Sequence, residues 1–236
     1  MISYRKLAMR VLGHSPVSAA KTARRSTAKR AAALALTAAL VVGMTLPAFA
    51  QDWFIENGDI TISAGESGNR VTQGETTKEN DTNTVIKGNG SSTASSNTVT
   101  IDAGEGKTVD VTLENVNIDA SSGAAVSVTG KGDTNIELNG NNTLTSGSGH
   151  AGLEHNKTDS SGTLTITDDK GAAGSLTANG GAGSAGIGGG FGNDGQAAIT
   201  GGEIIANGGD YGAGIGGGKN YNSAGGNGDV AISGGK

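Results

Sequence analysis

The amino-acid sequence predicts an all-β fold in which short parallel strands stack as repeated coils, a parallel β-helix (solenoid). The first observation is a repeat within Ser175–Lys236: Leu176 recurs as Ile204, and Ile187 recurs as Ile215 at the same spacing. The second is that short alternating apolar segments are separated by Gly, Asn, Asp and Ser, which is typical of strands and turns. The third is the glycine runs, which permit tight corners because glycine adopts positive φ at little steric cost. Such a short unit cannot bury its apolar side alone, so stacked copies must share one core.

Composition bounds the class of protein. The chain has 236 residues with 43 glycines, two prolines and no cysteine. Collagen is excluded because there is no Gly-X-Y register, and the lack of cysteine excludes disulfides and thiol chemistry. The first 50 residues contain eight Lys and Arg and no acidic residue, so the remaining nine basic and 22 acidic residues give residues 51–236 a net charge of −13. An acidic body of this kind repels nucleic acid and suits solubility, cations or a neutral glycan.

Residues 1–50 have the pattern of a signal peptide. Basic residues up to Arg30 precede the apolar run Ala31–Val42, and an A-x-A site follows at Ala48-Phe49-Ala50. We expect a signal-peptide helix that is cleaved after Ala50, and a mature protein that is secreted or displayed at the cell surface. As a helix the apolar run would be about 18 Å long, too short for a hydrocarbon core of ~30 Å, so no transmembrane segment is expected in the mature chain. A retained anchor and a twin-arginine signal at Arg24-Arg25 are the alternatives.

Residues 51–97 are expected to form the amino-terminal edge of the mature protein. Ile60 and Ile62 alternate as in a half-buried strand. Trp53 and Phe54 have two interpretations: they close the open end of the first coil, as terminal repeats must, or they stack on a sugar ring. The segment Ser63–Asn83 is polar and has no apolar period, which predicts a loop or insertion.

Residues 98–236 are predicted to form the coils. Asp110–Asn115 aligns with Asn135–Gly140 one repeat later, and apolar corner positions continue the register at Ile118, Leu144, Leu176 and Ile204. The spacing of these corner positions is unequal, which loop insertions of a few residues explain. Hairpins would need two-residue turns and antiparallel strands, whereas one strand recurring in one direction fits parallel coils stacked ~4.8 Å apart. Asparagines at the bends are placed to form stacked amide ladders: Asn139, Asn141, Asn142, Asn179 and Asn207.

This register resembles that of secreted bacterial carbohydrate-binding β-helix proteins of the pectate-lyase-like superhelix. The resemblance is carried by Val111–Ile118, Ser122–Val126, Asn135–Gly140 and the two Ala-Gly-Ile-Gly-Gly-Gly turns at 185–190 and 213–218. It implies a right-handed parallel β-helix, surface display, non-catalytic binding of polysaccharide or host glycan, and bound calcium. It assigns no calcium ligands residue by residue.

Candidate glycan-binding residues lie on the loops beside the two Gly-Gly-Gly turns. Binding residues usually lie on loops held by a rigid scaffold, and aromatic rings with amides and a cation suit stacking on a sugar. The candidates are Phe191, Asp210, Tyr211, Lys219, Asn220, Tyr221 and Asn222. The alternative is that these aromatic side chains only anchor the loops by packing on glycine.

Three aspartates are candidate Ca²⁺ ligands, because carboxylate and loop carbonyl oxygens suit this cation. They are Asp194, Asp210 and Asp229. The segment Gly189–Gln196 fits the start of a calcium-binding nonapeptide except at Gln196, but such sites form between tandem copies and the segment occurs once.

An enzyme on the same fold, a polysaccharide lyase or glycoside hydrolase, is an alternative function. Asp168-Asp169 is an acidic pair of the kind that hydrolysis requires, although an exposed turn is the simpler interpretation. Gly149-His150-Ala151 departs from the Gly-His-Gly of pectin hydrolases. A lyase needs a basic residue, often Arg, as general base, and Arg70, the one arginine after the signal peptide, is a poor candidate in the polar loop. His150 and His155, with Glu154 between them, either hold a transition metal or are solvated on a glycine-rich loop. We expect a binding protein rather than an enzyme.

The repeat pattern stops before its next strand. Ala198–Glu203 leads into the strand at Ile204, whereas the matching Ala231–Lys236 ends the sequence. We expect an open strand edge there and a longer natural protein. Three functions stay open: an adhesin-type glycan-binding protein, an enzyme, and a structural adhesin stalk.

Overall fold

The computed structural model describes residues 51–171, 173–219 and 224–236. The predicted signal peptide, residues 1–50, lies outside the described residues. The described part is all-β apart from a 3₁₀ turn at Ile55–Asn57, as the sequence predicts. No helix in this part is long and apolar enough to cross a membrane.

The strands are short because the apolar runs between glycines and asparagines are short. They are β1 (Asp52–Phe54), β2 (Ile60–Ala64), β3 (Asn69–Gln73), β4 (Thr76–Asp81), β5 (Val85–Lys87), β6 (Val99–Ala103), β7 (Thr108–Glu114), β8 (Asn117–Asp119), β9 (Val126–Gly130), β10 (Asp133–Thr145), β11 (Leu153–Glu154), β12 (Leu164–Thr167), β13 (Gly174–Asn179), β14 (Ile187–Gly188), β15 (Gly195–Ile199), β16 (Glu203–Asn207), β17 (Ile215–Gly216) and β18 (Gly228–Ile232). The longest strand, β10, contains Gly140 with a φ of +64° between its two halves.

Most strands pair in parallel and form three ladders. The first ladder runs through β1, β5, β7, β10, β12, β15 and β18, and the second through β2, β6, β9, β11, β14 and β17. The third contains β8, β10, β13 and β16, because the second half of β10 pairs with β8 and β13. From β7 onward the chain contributes to the first, third and second ladder in rotation. The parallel character predicted from the repeats is therefore confirmed.

The strand register follows the repeat seen in the sequence. Leu176 pairs with Ile204 and Ile187 pairs with Ile215, both in parallel strands. Asp110 pairs with Asn135, as the alignment of their two segments predicts. At the Leu176–Ile204 and Ile187–Ile215 pairs, aliphatic side chains therefore lie on aliphatic side chains of the next repeat.

The predicted register is wrong at one position. Leu144 pairs with Ala178, whereas Leu176 pairs with Asn142 rather than with Leu144. The error is two residues, which keeps every side chain on the same face of its strand, so apolar alternation does not detect it. Asn142 is consequently 1% exposed, and its side-chain amide donates to Ser175 O at 3.2 Å. Asn142 is a buried bridge between strands rather than a member of a surface ladder.

An asparagine ladder does form further along the third ladder. Asn207 Nδ2 donates to Asn179 Oδ1 at 2.8 Å, and Asn179 Nδ2 donates to Thr145 Oγ1 at 3.0 Å. Each amide therefore joins two adjacent repeats, as the sequence predicts for these two positions.

The core is one continuous aliphatic cluster between the ladders. Full burial of a Val, Leu or Ile side chain stabilises the fold by roughly 1.5–3 kcal/mol. The fully buried members of this cluster include Ile101, Leu113, Ile136, Leu138, Leu144, Leu153, Ile166, Leu176 and Ile187. Burial decreases at the last strands, where Ile204 and Ile215 are partly buried and Ile205 is 50% exposed.

Of the two alternatives predicted for Ser63–Asn83, a loop or an insertion, the loop is wrong, because strands β3 and β4 lie within it. This segment forms an antiparallel hairpin of β3 and β4, which extends the second ladder beyond β2. The hairpin was not detected because it contributes one large apolar side chain, the fully buried Val71, and one such residue shows no period. Trp53 is also fully buried, and its Nε1 donates to Asp81 Oδ2 at 3.1 Å. Trp53 therefore packs in the core, where no sugar can stack on it.

Candidate functional site

Three successive repeats bend through a left-handed residue at equivalent corners. Gly149, Gly183 and Tyr211 have φ of +86°, +80° and +67°. Gly149 N–H donates to Ala182 O at 3.1 Å, and Gly183 N–H donates to Asp210 O at 2.8 Å, so the three loops stack through their backbones. Tyr211 follows Gly183 at the repeat spacing and therefore occupies the glycine position of the repeat. A non-glycine residue in this conformation costs ~1–2 kcal/mol, and such strain is retained chiefly at functional sites.

The loops that follow β14 and β17 lie against this corner. Phe191 packs on Gly183 so closely that a Cβ at Gly183 would overlap with Phe191 Cδ2. Lys219, which follows Phe191 at the repeat spacing, donates its backbone N–H to Gly183 O at 2.7 Å. The missing side chain at Gly183 thus makes room for the aromatic ring and for the second loop.

Tyr211 is the exposed aromatic residue of this corner. It is 68% exposed, and Lys219 Nζ lies 5.3 Å from the centroid of its ring, within the range of a cation–π contact. Asp210 is exposed beside it. Four of the residues that the sequence indicated therefore come together; we call Phe191, Asp210, Tyr211 and Lys219 the corner patch. The other three predicted glycan-binding residues lie outside the described residues: Asn220, Tyr221 and Asn222.

A histidine–glutamate pair lies next to the corner patch. Phe191 N–H donates to Gly149 O at 2.9 Å, and the adjacent His150 places Nδ1 3.1 Å from Glu154 Oε2. The Glu154 carboxylate also accepts hydrogen bonds from Ala151 N, at 3.0 Å, and from Asn156 Nδ2, at 3.2 Å. These contacts hold the imidazole of His150 in one orientation at a half-exposed position.

His155 and His150 do not form one site. The interpretation that both histidines are solvated on a loop is wrong for His155. His155 is 2% exposed, and its Nδ1 lies 3.2 Å from the carbonyl oxygen of Gln196. Burial lowers the pKa of His155. Leu153 pairs with Val126 and is fully buried, and His155, two residues further along the chain, is buried as well. The alternation of Leu153 and His155 was the sequence signal for this burial.

The calcium candidates divide between two places. Asp194 and Asp229 line a groove of about 380 Å³ with Lys157, Thr158, Asp159, Asn227 and Gly228, which we call the acidic groove. Lys157 Nζ lies 2.5 Å from Asp229 Oδ2, and Asp194 Oδ1 accepts the backbone N–H of Asn227 at 2.6 Å. Asp210 lies in the corner patch instead. Within residues 51–171, 173–219 and 224–236, no group of three or more acidic or histidine side chains is arranged to hold a metal ion.

The acidic pair considered for hydrolysis has structural contacts. Asp168 Oδ1 accepts the backbone N–H of Gly174 at 3.0 Å and so holds the turn between β12 and β13. Glu137, which sequence analysis missed because it follows the ordinary strand alternation, accepts the backbone N–H groups of Asp169 and Lys170 at 3.3 and 2.6 Å. Burial raises the pKa of Glu137, the hydrogen bonds from the backbone of Lys170 and Asp169 oppose this shift, and the Asp169 carboxyl group adds a smaller increase.

The basic residue considered for a lyase lies on the hairpin. Arg70 is part of β3, and its Nε forms an exposed ion pair with Glu79 Oε1 at 2.8 Å. Its partner is thus a neighbouring strand of the hairpin, and the described residues do not bring Arg70 together with Asp168 or Asp169.

Comparison with known proteins adds no assignment. No protein-family model, no curated protein and no solved structure matches this chain. Function is therefore inferred from the chemistry of the grooves and of the corner patch.

Proposed function

We propose that this chain is an exported, non-catalytic right-handed parallel β-helix that binds polysaccharide or host glycan through the corner patch, as an adhesin-type surface protein. The observation that carries the proposal is Tyr211. It is a strained, exposed aromatic residue at a corner where the two preceding repeats have glycine. Strained backbone of this kind clusters at functional sites, which supports a binding role for the exposed ring.

The β-helix is supported by the order in which the chain visits the ladders. From β7 onward the strands enter three ladders in rotation, and each strand pairs in parallel with one from the next repeat. Connections between parallel strands of one sheet are right-handed in about 98% of cases, because a twisted strand packs back onto its sheet only in that sense. We therefore expect the coils of the β-helix to wind in the right-handed sense.

The ligand class is supported by the groups that the patch presents. An exposed aromatic face suits the apolar C–H face of a sugar ring, while the Lys219 ammonium and the Asp210 carboxylate suit its hydroxyls. Export is supported by the basic and apolar pattern of residues 1–50. A surface protein that meets glycans outside the cell fits both features.

A glycan array probed with the purified chain, with and without Ca²⁺, tests the proposal. Tyr211→Ala is expected to weaken binding about 5-fold or more, since one aromatic contact is worth ~0.5–1.5 kcal/mol. Ile205→Ala is the matched control, because Ile205 is also a large exposed apolar residue but lies on β16, outside the corner patch. Equal loss in both variants would point to non-specific adhesion.

Two results would overturn the proposal. Absence of binding to every glycan, with the chain folded, would leave the structural stalk as the function. Release of unsaturated or reducing ends from pectin by the wild-type chain would show catalysis and refute the non-catalytic assignment.

A further inference from the structure

A polar groove lies on the second ladder, at a place where strand coverage stops. β9 pairs with β6 along all five of its residues, whereas β11 covers only Val126 and Ser127. After Glu154 the chain leaves the ladder, and Asn156 bridges to Gly195 in an antiparallel sense. The second half of β9 has no strand paired with it on the β11 side. The space left there is a groove of about 230 Å³, which we call the β9 groove.

The lining of the β9 groove is rich in hydrogen-bonding groups. Four hydroxyl-bearing residues, a histidine and a glutamate contribute to it: Ser127, Thr129, Thr158, Ser161, His155 and Glu154. The volume is below the ~300 Å³ at which pockets for drug-sized ligands begin, so it suits a single small ring. None of the residues that line this groove is Lys or Arg.

His155 is the distinctive group of the groove. Its Nδ1 lies 3.2 Å from the carbonyl oxygen of Gln196, and a carbonyl only accepts, so Nδ1 carries a proton. In the neutral imidazole Nε2 is then a hydrogen-bond acceptor. Within the described residues Nε2 has no hydrogen-bond partner, and it is not among the fully buried polar atoms that lack one, so solvent in the groove reaches it. Burial lowers the pKa of His155, which keeps the imidazole neutral at pH 7.

The charge of the groove selects against anions. The Glu154 carboxylate accepts hydrogen bonds from Ala151 N and from the Asn156 side chain, and it lies 3.1 Å from His150 Nδ1. A carboxylate ligand would face this charge without a cationic partner in the lining. A neutral molecule with several hydroxyl groups would contact His155 Nε2 and the hydroxyl groups of the lining without that repulsion.

We propose that the β9 groove binds one neutral pyranose-sized sugar, with a sugar hydroxyl donating to His155 Nε2. This site is separate from the corner patch, and it does not depend on the glycan binding assigned to Tyr211. The β9 groove exists because β11 has two residues, whereas β9, the strand with which it pairs, has five.

Titration of the chain with methyl glycosides of glucose, galactose and mannose, followed by the imidazole nitrogen chemical shifts of His155, tests the proposal. At least one neutral glycoside is expected to move the Nε2 resonance saturably, and glucuronic acid is expected to bind about 10-fold more weakly because of Glu154. Ser127→Phe fills the groove and should abolish the response. Thr61→Phe is the control, because Thr61 is two strands away on the same ladder, in line with Ser127.

Each outcome has one meaning once thermal unfolding shows that the variants fold. No shift of Nε2 with any glycoside, an undiminished response in Ser127→Phe, or equal binding of glucuronic acid would overturn the proposal. Tyr211→Ala should leave the His155 response unchanged. A groove response without corner-patch binding would refute only the proposed function, and the reverse result would refute only the β9 groove.

Discussion

Replacing Tyr211 by glycine is expected to separate stability from binding at the corner patch. Tyr211 has a φ of +67°, which costs an L-residue ~1–2 kcal/mol and costs glycine little. Against this gain stand the cation–π contact with Lys219, ~0.5–1 kcal/mol at an exposed site, and the extra chain entropy of glycine, ~0.5–1 kcal/mol. The opposing terms nearly cancel. We expect the free energy of unfolding to change by less than about 1 kcal/mol, while glycan binding weakens about 5-fold or more, as in Tyr211→Ala.

The equivalent corner one repeat earlier provides the opposite substitution. At Gly183, φ is +80°, and a Cβ would overlap with Phe191 Cδ2 and lie 3.1 Å from Lys219 O. Gly183→Ala therefore adds backbone strain and displaces the Phe191 ring. We expect it to lower the free energy of unfolding by at least ~2 kcal/mol.

Urea unfolding of both variants, together with the glycan array, measures the two quantities. Unchanged m-values would show that both variants unfold from a native state of the same extent. The reasoning fails if Tyr211→Gly loses several kcal/mol, because the ring would then be a structural anchor, or if it retains full glycan binding. It also fails if Gly183→Ala is as stable as the wild-type chain.

Three further predictions concern the core and the charged groups. Leu176→Ala should lower the free energy of unfolding by ~2–5 kcal/mol, and Ile204→Ala by clearly less because Ile204 is only partly buried; equal losses in urea unfolding would contradict the stacked core. Asp169→Asn should stabilise the protein at pH 7, because the raised pKa of Glu137 makes the wild-type chain lose stability as pH rises above the ordinary value of 4.5. The extra stability of Asp169→Asn should vanish below pH 4.5. Thermal melts that show the same extra stability at every pH would refute the link between stability and the pKa of Glu137. Lys157→Ala should strengthen Ca²⁺ binding in the acidic groove by removing a competing ammonium group, and unchanged calorimetric affinity would show that the groove is not the calcium site.

Much of the candidate site could be inferred from spacing. Phe191 and Lys219 are separated by the same interval as Gly183 and Tyr211, and equal spacing places each pair at equivalent points of adjacent repeats. The sequence did not indicate that Gly183 joins the two loops, because that role depends on a ring and a backbone N–H reaching it from another loop. It also did not indicate that Lys157 pairs with Asp229, which is distant from it along the chain.

The amino-acid order alone is sufficient for strand direction and, within Ser175–Lys236, for repeat length. Both are local properties, since a strand that recurs in one direction at a constant spacing can bury its apolar side only against its own copies. The pairing of Leu144 with Ala178 and the burial of His155 needed the folded chain. The register could not be predicted because a shift of two residues leaves the apolar face of a strand unchanged. The burial of His155 could not be predicted because a polar side chain is buried only when it finds a hydrogen-bond partner, here the distant carbonyl oxygen of Gln196.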